Sequence, residues 1–297
     1  MKSYHVTCII VTYNPISWID KVLEFLKNEN IFQNTIFIDN NSIDGFKDFA
    51  KHSIPPQNLI LLDENLGFGA ANNIGIKHAI ERNSDCVLLL NQDAWIEVGG
   101  LSKMIDILYS KQELSIVSPL HYNSEYTFLD KNFIDYFNQS NFVRYFSDEN
   151  QMYINCEFVN AAIWLIKIES ILKIGGFNPS FFHYGEDDEY CLRTIKKGFE
   201  IGIAPMVKGV HDRYFRQKEI SLKQIKYRLK NKFRINFFRS DDNYPFSKEC
   251  IRLLLNKGYG KTNLLLRLSI FLELLIERSS LLRNKNEIKI NPMPFLN

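Results

Sequence analysis

No run of about 18 consecutive apolar residues, the length of a membrane-spanning helix, occurs anywhere in this 297-residue chain. The richest candidate, Leu264 to Leu282, is cut by Arg267, Glu273, Glu277 and Arg278, so no spanning helix is expected. Cysteine is scarce and poorly placed for cross-linking: five residues, an odd number, widely spaced and without a Cys-x-x-Cys pair. That pattern argues against a disulfide framework or a structural zinc site and for reduced thiols. Charge of one sign is missing too. Lys plus Arg number 36 and Asp plus Glu 34, a net +2 that leaves no footprint for a nucleic-acid partner. The apolar run Val6–Thr12 is too short and too β-branched for a secretory leader, and no small-residue cleavage site follows it. These absences predict a cytoplasmic protein. What is present, 45% hydrophobic and 24% charged residues, suffices for a large globular core.

The first 120 residues alternate two periods. Val6–Thr12, Thr35–Asp39, Asn58–Asp63, Cys86–Leu90 and Ser115–Leu120 read as buried strands, short and rich in β-branched or apolar residues. Between them, Trp18, Ile19, Val22, Leu23 and Leu26 recur at helical spacing behind Ser17. Helices are also expected over Ser42–His52, around Ala70–Ile80 and over Val98–Tyr109. The rhythm predicts an α/β fold, a mostly parallel nucleotide-binding sheet flanked by helices. Residues 121–150 break it with an aromatic excursion and room for a short helix. Tyr153–Ile168 reads as extended, Gly175-Gly176-Phe177-Asn178-Pro179 as a turn, and Glu186 to about Lys197 as a helix.

Ligands of an open parallel sheet bind at the carboxyl ends of its strands. Those ends carry Thr12-Tyr13-Asn14, Asp39-Asn40-Asn41, Asn65-Leu66-Gly67-Phe68-Gly69 and Asn91-Gln92-Asp93. Each alone is ordinary turn chemistry; four on one edge suggest a site. Asp93, with Asn91 two residues before it, can offer oxygen to a hard cation such as Mg2+ or Mn2+, or else cap the following helix. Four consecutive acids, Glu186-Asp187-Asp188-Glu189, follow the apolar Phe181-Phe182-His183-Tyr184. Helix-dipole preference explains acids there; a carboxylate raised by an apolar wall to serve as general base is the functional alternative. His211, beside Asp212, is a ligand, an acceptor contact or a structural residue. Trp164, Glu186, Asp188 and Arg193 complete the candidates, for the acceptor side or secondary contacts.

Two look-alikes fail. Gly67-Phe68-Gly69-Ala70-Ala71-Asn72 lacks the third glycine of a dinucleotide fingerprint and follows the third strand. Gly260-Lys261-Thr262 ends like a P-loop, but Leu255 holds its first glycine position.

Taken together, Val6–Pro15, Ile38–Asp44, Asn65–Gly75, Leu89–Ala94 and the stretch from Gly175-Gly176-Phe177 through Glu186–Arg193 resemble glycosyltransferase family 2, most of all its bacterial rhamnosyltransferase-like branch. The likeness covers about residues 4–213 in the expected order. It implies the A-type glycosyltransferase fold and inverting transfer of a sugar from a nucleotide-diphosphate donor, with Mg2+ or Mn2+. Tyr13 and Asp39 match positions holding base and ribose, and Thr12, Asn14, Asn41, Asn65, Gly67, Gly69, Asn72, Asn91 and Gln92 join them as donor-binding candidates. Asp93 matches the last acid of the family's Asp-x-Asp motif, Asp187 the catalytic base, and His211 a histidine near metal or diphosphate. Asn91 replaces the motif's first acid, which implies weaker metal binding. The implied function is transfer of a sugar, rhamnose by the branch, to a hydroxyl of a glycan or lipid-linked acceptor in bacterial surface polysaccharide synthesis. The alternatives are a nucleotidyltransferase, disfavoured because Tyr13-Asn14-Pro15 is no glycine-rich basic loop, and a catalytically weak transferase-like binding subunit.

Composition shifts near residue 213, dividing a catalytic domain (1–212) from a helical extension (213–297). From Arg213 to Arg239 there are ten Lys or Arg and one acid, Glu219, with Ile225, Leu229, Phe233 and Phe237 every four residues. Two readings stand: a basic helix packed on the domain, or an anchor on an anionic membrane surface at the inner face of the cell membrane. Leu264–Leu282 is then a second apolar contact or a homodimer interface.

Overall fold

The computed structural model describes residues 3–130, 133–134, 152–212, 221–241, 243–260 and 262–296. Its centre is a mixed sheet. Strands β1 (Val6–Thr12), β2 (Thr35–Asp39), β3 (Leu59–Leu61) and β4 (Cys86–Leu90) lie parallel in the order β3-β2-β1-β4. Five more extend it: β5 (Ala94–Ile96), β6 (Leu114–Tyr122), β7 (Ile154–Cys156), β8 (Ile163–Lys167) and β9 (Glu200–His211). The order continues β4-β8-β6-β9-β5, with β7 also on β9. Since β8 is antiparallel to both β4 and β6, and β6 is parallel to β9, strands β6 and β9 point the same way as β4. The carboxyl end of β9 therefore arrives at the edge where β1, β2 and β4 end.

Side-chain alternation assigns the two faces. Cys8, Ile10 and Phe37 pack under α1 (Ile19–Asn28), α2 (Phe46–Ser53) and α4 (Gly100–Tyr109), while Ile9, Ile36 and Ile38 pack under α3 (Phe68–Glu81). On that second face lie α5 (Ile168–Ile174) and α6 (Glu186–Lys196). Strands β2 and β4 fall where the sequence pattern puts them. Strands β5 and β9 are not in that pattern. β5 is three residues long, and β9 carries Pro205 within an irregularity where Ala204 and Lys208 face the neighbours Pro119 and Leu120. Proline lacks the ladder N–H, so an interrupted strand shows no clean period. Of the aromatic excursion, Tyr122 closes β6 and bridges Leu129; most of the remainder, with the short helix expected in it, lies outside the described residues.

Helices α7 (Leu222–Arg239), α8 (Phe246–Leu254) and α9 (Leu264–Ile290) form a third cluster around Phe181, Phe233, Phe237, Phe246, Leu253 and Ile270. The apolar face of α7 is thus taken up by packing. Three of its cations are paired with α9: Lys230 lies 2.9 Å from Glu273 and 2.6 Å from Glu277, Arg234 lies 2.7 Å from Glu277, and Lys226 pairs with Glu273. The described part of α7 is packed on the helical core through its apolar face, with Lys223, Arg228 and Lys232 exposed; residues 213–220 lie outside the described residues. After α9 the chain returns to the sheet, where Gly176 N–H donates to the Pro294 carbonyl at 2.8 Å and Leu296 enters the second core. Among the described residues no helix is long and apolar enough to cross a membrane.

Two residues expected on the acceptor side or in secondary contacts, Trp164 and Arg193, are core residues. Trp164 is wholly buried in β8 between Phe177 and Tyr190. Arg193 is buried in α6. It holds Glu189 through two bonds of 3.0 and 2.9 Å and donates to the carbonyls of Ile174 (2.6 Å) and Gly176 (2.8 Å). It therefore fixes α6 to the glycine turn and cannot reach an acceptor. Removing one partner of such a pair strands a buried charge. We expect Arg193→Met to lose about 3–5 kcal/mol of stability in urea unfolding; a change below about 1 kcal/mol would show an exposed, weakly coupled pair.

Candidate active site

The site is assembled at the common strand edge, first by loops that fix one another. Asp39, wholly buried, accepts from the Ser42 N–H (3.0 Å), the Ser42 hydroxyl and Thr12 Oγ1 (3.2 Å). Ser42 Oγ in turn accepts the Asn14 N–H at 2.8 Å, and Asn14 Oδ1 accepts the Ile43 N–H at 2.8 Å. Asn41 Oδ1 accepts from Lys47 Nζ at 2.5 Å. Gln92 clamps Tyr13 from the neighbouring strand end, accepting its N–H (2.6 Å) and donating to its carbonyl (3.0 Å). The Tyr13 side chain is left 46% exposed, a flat apolar face at the rim of the site. Asp39 is placed as the organiser of this loop rather than at its surface, because every contact on its carboxylate is internal.

The third loop is tied in by Asn40, which sequence reading passed over. Its N–H donates to the Thr12 carbonyl (2.7 Å), its Oδ1 accepts from Leu66 N–H (2.8 Å) and its amide reaches the Gly67 carbonyl (3.3 Å). The signal was in the run Asp39-Asn40-Asn41-Ser42, where one amide with both donor and acceptor can bridge two strand ends. Asn65 Oδ1 caps Gly67 N–H at 2.9 Å. Asn72 is buried and turned back on its own helix, donating to the Phe68 carbonyl at 3.0 Å.

Asp93 and His211 meet because β5 and β9 pair antiparallel with Ala94 opposite His211. Both are buried, with His211 Nε2 3.4 Å from Asp93 Oδ1 and 3.4 Å from the Asn91 amide nitrogen. Asp212 N–H donates to the Asp93 carbonyl at 2.8 Å and locks the two strand ends together. Asp93 thus faces β9 rather than capping α4, whose N-cap is Gly99. Among the described residues no group of three or more His, Cys, Asp or Glu is gathered tightly enough to hold a metal by itself.

The acid helix is brought to the same edge by the segment before it. Phe68 N–H donates to the Phe182 carbonyl at 3.2 Å, and a Cβ on Gly67, whose φ is +84°, would lie 2.1 Å from that oxygen. Only glycine allows this approach. From behind, Tyr227 of α7 accepts the His183 N–H (2.9 Å), and the Asn231 amide donates to the carbonyls of His183 (3.0 Å) and Tyr184 (2.5 Å). The cap of α6 is Gly185. Glu186 faces Gly69 and is buried, with one carboxylate oxygen lacking a partner. Burial first, and the negative charge of Asp187 second, push Glu186 up to about 8. The same two causes push Asp188 up to about 7. Asp187 and Asp188 are half-buried at the helix's first turn, Asp187 Oδ1 accepting the Asp188 N–H at 3.0 Å. A groove of about 710 Å³ lies between Phe182, His183 and Tyr184 and the α7 residues Lys223, Tyr227 and Arg228.

A sheet of this topology, with a carboxylate–imidazole pair at its edge and acids over a glycine loop, is that of the A-type glycosyltransferase fold. The sequence profile for glycosyl transferase family 2 matches residues 7–175, and the chain belongs to that family. A second profile, described as the N-terminal domain of galactosyltransferase, matches residues 144–218. The dTDP-rhamnosyl transferase RfbF of Shigella flexneri is 24% identical over 214 residues, 70% of this chain and 69% of that protein. Rhamnosyltransferase WbbL of Escherichia coli K12 is 22% identical over 241 residues, 76% of this chain and 90% of that protein. Among solved structures, mannosyltransferase PcManGT from Pyrobaculum calidifontis, in complex with GDP-Man and Mn2+, superposes with a TM-score of 0.57 at 16% identity, covering 97% of this chain and 86% of that one. GalNAc-T7 with UDP, GalNAc and Mn2+ gives 0.60 at 12% identity, over 93% of this chain and 57% of that one.

The buried Glu186 makes a stability prediction. Its folded value of about 8 lies above the ordinary 4.5, so the folded state keeps a proton the unfolded chain releases. Stability from this group is present below about pH 4.5 and is lost as pH rises to about 8. The parent should melt at progressively lower temperature across that window, and Glu186→Gln should flatten the decline and melt above the parent at about pH 9. Parallel melting curves for the two proteins would contradict the burial.

Proposed function

We propose that the protein is an inverting, divalent-cation-dependent glycosyltransferase of surface polysaccharide synthesis. It moves a sugar, rhamnose on the strength of its resemblance to RfbF and WbbL, from a nucleotide-diphosphate donor to a hydroxyl of a glycan or lipid-linked acceptor on the cytoplasmic side. The observation that carries this reading is the meeting of Asp93 and His211 at the strand edge that also receives the acid helix.

The exposed Tyr13 ring, held by Gln92, offers a stacking face to the donor base. Asp39 acts through the loop it organises. Asp93 supplies one hard oxygen and His211 a softer nitrogen, a two-donor set that fits Mg2+ or Mn2+, which normally completes its shell with phosphate and water. Bound there, the cation would supply Lewis-acid stabilisation of the diphosphate leaving group. Asp187 takes the proton as the acceptor oxygen bonds to the anomeric carbon and the carbon–oxygen bond to diphosphate breaks. Burial first, and the charge of Asp187 second, hold Glu186 and Asp188 toward their protonated forms; the family resemblance assigns the base to Asp187. One base and one direct displacement give inversion.

Release of nucleoside diphosphate from dTDP-rhamnose and a panel of UDP-sugars, with Mn2+ and a glycan acceptor, tests the reading. Asp93→Asn should lower turnover by about a hundredfold or more while keeping a polar side chain beside the buried His211, which Asp93→Ala would leave without that partner. Normal turnover in that variant, or in the parent with chelator, would refute the metal role. Asp187→Asn should keep donor binding and lose about a hundred- to ten-thousand-fold in turnover. A loss below about tenfold would move the base to Glu186 or Asp188, since Glu189 is held by Arg193.

A further inference from the structure

The groove between Phe182–Tyr184 and α7, about 710 Å³, has the size of a small-molecule site. One wall is a side of α7, where Lys223, Lys226, Tyr227 and Lys230 recur three and four residues apart, with Arg228 beside them. The other wall lies between two parts of the candidate active site. Its Phe182 carbonyl accepts the Phe68 N–H of the glycine loop, and Tyr184 runs through Gly185 into the first turn of α6, where Asp187 stands.

The polar groups of this groove are set to donate hydrogen bonds, not to accept them. Lysine and arginine carry donors only. The acceptors among the described lining residues are already engaged. Lys226 and Lys230 hold the Glu273 carboxylate, and the Ser221 N–H holds Gln224 Oε1 at 2.8 Å. The His183 N–H donates to the Tyr227 hydroxyl, and the Asn231 amide takes the carbonyls of His183 and Tyr184. Among the described residues no acid pairs with Lys223 or Arg228, and both side chains are exposed. A neutral glycan, whose hydroxyls donate as well as accept, would find its acceptors taken. An ionised phosphate only accepts, and brings the opposite charge. The remaining surface is apolar: the rings of Phe182 and Tyr184, 52% and 51% exposed, suit a hydrocarbon body better than a hydroxylated one.

We propose that this groove binds a phosphate or diphosphate ester carried on an apolar chain, with Lys223 and Arg228 on the anion and Phe182 and Tyr184 against the chain. Binding stands on the groove alone; that the bound molecule is the acceptor rests on the sugar-transfer reading. In that role the groove presents the acceptor along the segment that leads into Asp187.

Calorimetric titration of the full chain with farnesyl diphosphate tests it, first in chelator and then with dTDP and Mn2+ filling the nucleotide site. The probe should bind in both conditions and more weakly at high salt, while inorganic pyrophosphate and farnesol each bind at least about tenfold more weakly. Lys223→Glu/Arg228→Glu, at exposed positions, should lose about tenfold or more in affinity for the probe. Its melting temperature and its affinity for dTDP with Mn2+ should stay those of the parent. Failure of dTDP to bind with Mn2+ would count against the transfer reading and leave the groove result standing. Unchanged affinity in the double variant, displacement of the probe by dTDP, or equal binding of farnesol or pyrophosphate overturns the proposal. So does tighter binding of a uronic-acid oligosaccharide, which would assign the groove to an acidic glycan, or a solution dimer that the double variant splits, which would assign it to a second copy.

Discussion

The constraint on which the site depends is the direction of β9. Because one antiparallel strand, β8, stands between two strands that run with it, β6 and β9 point the same way as β4. Their carboxyl ends then share an edge with β1 and β2. The short β5 pairs back along β9 and sets Asp93 against His211 across 118 residues of sequence separation, the difference between their numbers. Were β9 to run the other way, the imidazole and the carboxylate would lie at opposite edges. The site is thus a consequence of topology before it is one of side chains.

The acid helix reaches that edge by a second device, close backbone approach. Gly67 lets the Phe182 carbonyl lie against the third loop, and α7 holds the segment from the other side through Tyr227 and Asn231. The basic helix therefore serves the catalytic edge structurally, and its cations neutralise acids of α9.

Much of this was legible in the residues. Strands β2 and β4 and helix α6 stand out because continuous apolar runs and a capped acidic start are local signals. The strand-end polar groups could be gathered on one edge from the parallel rhythm alone. What could not be read was partnership over long distance. Asp39 reads as a ligand residue, and its bonds to Ser42 and Thr12 are not marked in the sequence; nor is the buried pair that Arg193 closes with Glu189. Trp164 sits mid-strand in an apolar run, where burial is the ordinary fate of tryptophan. β9 hid behind Pro205 and its irregular register. The amphipathic pattern of α7 shows one apolar face but not what covers it.

The central claim is that Asp93 and His211 form a cation-dependent diphosphate site. Calorimetric titration of the protein with dTDP, with and without Mn2+, tests it most directly, since it needs neither donor sugar nor acceptor. The account predicts binding at least about tenfold tighter with Mn2+, a difference of about 1.4 kcal/mol, and loss of that difference in His211→Ala. Equal affinity with and without the cation in the parent would contradict it.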